Sequence, residues 1–117
     1  MRMQEAYGHL FMIENGLRKY INDKMTAHYG VDWRIKAPNN MSFRRRPLEQ
    51  SYFYDLESYL RVYPCFHNSE DLILTLQKLY PIRNAIAHCH ELSEEQYQIL
   101  EECYEKVMVN ISYSNIY

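Results

Sequence analysis

Glycine and proline are scarce in this 117-residue chain, with three of the first (Gly8, Gly16, Gly30) and four of the second (Pro38, Pro47, Pro64, Pro81). An all-β sandwich or barrel needs turn residues at short, regular intervals, so this scarcity favours helices. No run of about eighteen apolar residues occurs, and the N-terminus lacks the charged-then-apolar order of a secretory signal, so the expectation is a soluble cytoplasmic protein with no membrane partner. Three cysteines, an odd number, give no disulfide framework and suit a reducing compartment. There is no Gly-rich phosphate loop, no G-x-S-x-G and no H-E-x-x-H, which sets aside nucleotide hydrolases, α/β-hydrolases and zincins.

What is present is ordinary globular chemistry with one excess. Hydrophobic residues make up 47% and charged residues 24%, a balance that builds a core rather than a disordered tail, and the length suits one domain spanning 1–117. Twelve tyrosines are the excess, and most are expected at core edges, where the ring is buried and the hydroxyl stays wet. Thirteen Lys and Arg against fifteen Asp and Glu leave a net charge of −2, so an anionic partner has to be met locally.

Apolar residues at Ala6, Leu10, Ile13, Leu17, Tyr20 and Ile21, broadened by Phe11 and Met25, predict a helix from about Gln4 to His28, stopped by Gly30. Residues 29–48 hold Gly30, Pro38, Asn39, Asn40 and Pro47 without a sustained period and read as a long loop. It is basic: Arg34, Lys36, Arg44, Arg45 and Arg46 stand against Asp32 and Glu49. That run is either a solvated surface or a set of phosphate contacts. A second helix is expected over Glu49–Tyr63, ended by Pro64. A third starts near Ser69 and continues, kinked at Pro81, to about Cys89. The fourth starts at a capping box, Ser93 with Gln96, and carries Tyr97, Leu100, Cys103, Val107, Met108 and Ile111. Four helices without a strand pattern predict an all-α, antiparallel up-down four-helix bundle, with the basic loop between helices one and two.

One segment concentrates chemistry. Arg83-Asn84-Ala85-Ile86-Ala87-His88 places a guanidinium, an amide and an imidazole within one stretch of helix, separated by small or apolar residues. Asn84 and His88, four apart, lie about 40° from superposition on one helix face, whereas Arg83 and His88 lie about 140° apart around the axis. An imidazole can take the proton from a ribose 2′-hydroxyl or return one to a leaving 5′-oxygen, and a guanidinium can hold phosphate oxygens as charge develops. The structural alternative gives Arg83 an acidic partner such as Glu14, Asn84 a backbone group, and His88 a place at a helix C-terminus favoured by the dipole. Glu14 interrupts the apolar stripe of the first helix, so its carboxylate needs a partner, either Arg18 one turn on or Arg83. Cys65, His67, His88, Cys89 and His90 do not have the spacing of a zinc module, so no metal or cofactor is expected.

The R-N-x-x-A-H segment, followed by Glu91-Leu92-Ser93 and a capped acidic helix, resembles the HEPN superfamily. So does Glu14-Asn15-Gly16-Leu17-Arg18-Lys19-Tyr20-Ile21, which is similar to the E-x-x-L-R-x-x-I pattern of HEPN domains found with restriction-modification and abortive-infection systems, together with Phe53-Tyr54-Asp55-Leu56. The resemblance implies a homodimer in which two R-x₄-H motifs build a composite, metal-independent endoribonuclease site. Arg83 and His88 would be catalytic, Asn84 and Glu14 supporting, and Lys36, Arg44, Arg45 and Arg46 would hold RNA. It implies a role in prokaryotic defence or stress response, as a toxin or antiviral effector, with a cognate inhibitor or larger defence complex among its partners. The alternative within the same family is a non-catalytic dimerisation or RNA-binding module.

Overall fold

The computed structural model describes residues 2–38 and 44–116, with side chains to 112, and every regular element among them is helical. Among the described residues there are five α-helices: α1 (Arg2–Tyr29), α2 (Trp33–Lys36), α3 (Phe53–Val62), α4 (Glu70–Ala87) and α5 (Glu94–Ile116). The chain gathers into two compact units, Met1–Gly16 with Asp71–Tyr117, and Leu17–Glu70. No described helix is long and apolar enough to cross a membrane.

In the first unit the buried positions follow helical periods: Ala6, Leu10 and Ile13 on α1, Leu72, Leu76, Leu79, Ile82 and Ile86 on α4, and Tyr97, Leu100, Cys103 and Val107 on α5. Full burial of each large aliphatic side chain contributes about 1.5–3 kcal/mol, so these stripes, rather than helix propensity, hold the unit. Phe11 does not join them. It is 66% exposed, because one residue past Leu10 it points about 100° away from the buried stripe. A Cβ on Gly16 would lie 3.3 Å from Ile111 Cδ1 and 3.5 Å from Met108 Cε, so this glycine lets α1 and α5 approach closely. The α5 N-terminus carries the reciprocal capping box: Gln96 N–H donates to Ser93 Oγ at 3.1 Å, and Ser93 N–H donates to Gln96 Oε1 at 3.0 Å. α4 runs unbroken through Pro81, an exposed position, although proline removes the donor that Gln77 would have met one turn back.

The second unit differs from the sequence reading in two places. Gly30 ends α1 as expected, with a φ of +100° and its N–H on Thr26 O at 2.8 Å, but the chain then makes the short helix α2. Trp33 anchors it: the ring is buried and Nε1 donates to Asn22 Oδ1 at 3.0 Å. Asn39 and Asn40, cited as loop markers, lie outside the described residues. The helix expected from Glu49 begins only at Phe53. Leu48–Gln50 forms a 3₁₀ turn, and Ser51 and Tyr52 are extended. Asp55, 3% exposed, fixes the true start by accepting from Tyr52 N–H at 3.0 Å. Tyr20, Ile21, Met25, Leu48, Phe53, Leu56, Tyr59, Leu60, Tyr63 and Phe66 are buried in this unit.

Candidate functional site

The end of α4 is built by backbone hydrogen bonding. Its last helical residue is Ala87, two short of the expected Cys89, and His88 stands at the C-cap. His90 N–H donates to Ala85 O at 2.8 Å and Cys89 N–H to Ile86 O at 3.0 Å, the paired bonds of a Schellman turn. Such a turn requires a left-handed residue. Here Cys89 takes that place at φ +58°, where glycine is usual. Tyr7 of α1 supports the turn: its hydroxyl donates to Ile86 O at 3.0 Å and lies 4.0 Å from Cys89 Sγ, a contact that raises the phenol's pKa. The sequence offered no signal for Tyr7, since its partner is a backbone carbonyl 79 residues away.

The turn presents His88, Cys89 and His90 to solvent, with the two imidazole centroids 6.1 Å apart. His88 N–H donates to Asn84 O at 3.1 Å, and the Asn84 side chain is exposed. Arg83 is half-buried, with Nε 3.9 Å from Glu14 Oε1, and the two side chains are 35% and 21% exposed. Arg83, one of the two partners considered for Glu14, is thus in ion-pair range. Arg18 Nη2 donates to Ser51 O at 2.9 Å. A cation, an amide and an imidazole thus sit on one helix end, and the guanidinium is oriented by a carboxylate from α1. Among the described residues no three His, Cys, Asp or Glu side chains gather in a way that would hold a metal ion.

The basic loop residues divide by role. Arg44 is a tie rather than a free contact. Nη1 donates to Pro38 O at 3.0 Å, to Tyr63 Oη at 2.9 Å and, at 3.4 Å, to Ala37 O, while Nη2 donates to Arg34 O at 2.7 Å. Tyr63 in turn donates to Pro38 O. The Arg44 guanidinium also lies 5.2 Å from the Trp33 ring. All its hydrogen-bond partners are neutral, so the loop gains order without losing a positive charge. Lys36 pairs with Asp32 at 3.4 Å. Arg45 and Arg46 are exposed, and Arg46 lies over the Tyr52 ring at 4.1 Å. Arg34, singled out only as part of the charge run, joins Arg44, Arg45, Arg46, Pro47 and Tyr59 around a cleft of about 210 Å³.

Comparison with known proteins finds no matching family model, no matching curated protein and no matching solved structure.

Proposed function

We propose that the chain is a HEPN-type endoribonuclease with a four-helix bundle core, acting as a homodimer and cleaving RNA phosphodiesters without a metal. The observation that carries this reading is the solvent-exposed His88 at the end of α4, on the same helix as an Arg83 oriented by Glu14. In the proposed reaction one imidazole takes the 2′-hydroxyl proton. The 2′-oxygen attacks the adjacent phosphorus, and the 5′-oxygen leaves with a proton from the second subunit's imidazole. The products carry a 2′,3′-cyclic phosphate and a 5′-hydroxyl. Arg83 holds the non-bridging oxygens as negative charge grows on them, and Asn84 steadies the histidine.

Lys36, Arg45 and Arg46 contact the RNA, with Arg44 keeping their loop in shape. For the partner copy we assign the exposed face of α1, where Tyr7 and Phe11 stand one turn apart, 45% and 66% exposed, and Tyr7 already touches the α4 end.

Cleavage of single-stranded RNA with chelator present tests the assignment. The parent protein cuts, and His88→Ala at equal folded concentration is slower by about a hundredfold or more. Equal rates for the two would remove His88 from the mechanism. Phe11→Glu, an exposed change, should yield a folded monomer without activity. The non-catalytic module draws support from the Arg83–Glu14 ion pair, since that contact also serves packing alone. No cleavage by the parent on varied RNAs, with the dimer intact, would favour it.

A further inference from the structure

We infer that the four-arginine cleft of the Leu17–Glu70 unit is a binding site for a compact oligophosphate carried by a nucleoside, such as an RNA 5′-triphosphate end or a free nucleoside triphosphate. This goes beyond the cleavage reaction and stands without it.

Charge density is the first argument. Arg34, Arg44, Arg45 and Arg46 surround about 210 Å³, and no carboxylate is among the described residues that line that space. Arg34 Nη2 lies 3.9 Å from the carboxylate of Glu49, which is itself 80% exposed. An internal stretch of RNA offers one negative charge per phosphodiester along an extended path, which suits arginines spread over a surface. An oligophosphate concentrates several charges in one place, its terminal group alone carrying close to two. Four cations around one small cleft match the second ligand.

Preorganisation is the next. Arg44 is locked by its bonds to Arg34 O, Pro38 O and Tyr63 Oη, so it contributes a fixed charge to the lining rather than a mobile arm. Arg46 lies 4.1 Å from the Tyr52 ring, an aromatic support that holds a guanidinium in place without neutralising it, and Arg34 lies 5.6 Å from the Trp33 ring beside its exposed partner Glu49. Arg45 and Arg46, exposed among the lining residues, have planar donor pairs to offer phosphate oxygens.

The third argument concerns the nucleoside. Tyr52, the ring under Arg46, is 44% exposed, and Tyr54, with its centroid 6.0 Å away, is 58% exposed. Exposed tyrosines beside a cationic cleft make a platform for a base adjoining the phosphate chain.

Binding is measured by fluorescence anisotropy on the full chain carrying His88→Ala, which keeps RNA probes intact whether or not the parent cleaves. The probes are one short RNA made with a 5′-triphosphate and with a 5′-hydroxyl, and the competitors are ATP and inorganic tripolyphosphate. The triphosphate end should bind at least about tenfold more tightly, and both competitors should displace it. Arg45→Ala with Arg46→Ala should erase the preference, at about tenfold per arginine. Tyr54→Ala should weaken ATP several-fold and leave tripolyphosphate unchanged. ATP competing below the RNA's own dissociation constant identifies the free nucleotide as the ligand, and the reverse order identifies the RNA end. Equal affinity for the two RNA ends with no displacement by ATP, or a preference that survives the double arginine change, overturns the site.

Discussion

Cys89 occupies a backbone conformation that an L side chain resists, next to the histidine on which the proposed chemistry depends. A non-glycine residue there costs about 1 kcal/mol, so Cys89→Gly should raise stability by that amount in urea denaturation, with the turn unchanged. Its thiol is exposed, whereas Cys65 is partly covered and Cys103 buried. Burial pushes the thiols of Cys65 and Cys103 up, which lowers their thiolate fraction at neutral pH. Alkylation followed by mass spectrometry should therefore modify Cys89 first and Cys103 last, with Cys103 reacting only on unfolding. At this scale the sequence was partly legible. The composition of Arg83-Asn84-Ala85-Ile86-Ala87-His88 marked the segment, but Cys89 as a left-handed terminator was not readable, because cysteine carries no turn signal of its own.

Among the elements, α1 holds two glycines whose surroundings differ. A Cβ at Gly8 meets nothing within 4 Å, so Gly8→Ala should stabilise the protein by about 1 kcal/mol, seen as a rise in melting temperature of several degrees. Gly16→Ala gains the same propensity but presses on Ile111 Cδ1 and Met108 Cε, and should return less than Gly8→Ala or nothing. The helix stripes of α1, α4 and α5 were legible because apolar residues recur with the period of the fold. The start of α3 was not. Glu49 and Gln50 suit a helix by propensity, but Pro47 before them and the buried carboxylate of Asp55 after them place the first turn later. Trp33 likewise nucleates α2 through Asn22, a partner eleven residues back that no local pattern announces.

For the molecule as a whole, an acidic net charge conceals opposite local balances. Six glutamates and one lysine fall between Glu91 and Lys106, while the arginines collect in the Leu17–Glu70 unit. Sequence counting found that segregation, since charge sums need no contacts. It did not separate Arg44, a tie among backbone carbonyls and Tyr63, from the exposed Arg45 and Arg46, because the difference lies in partners up to 19 residues away.

Arg44 thereby clasps its loop through neutral partners and keeps its charge beside Arg45, Arg46 and the Glu49-paired Arg34. An anion that settles between them binds the folded chain alone and is therefore linked to folding. Tripolyphosphate should accordingly raise the melting temperature at millimolar concentration, beyond what sodium chloride achieves at equal ionic strength. The excess should vanish in Arg45→Ala with Arg46→Ala. The loop is a thermometer for polyvalent anions, legible by calorimetry before any enzymatic assay.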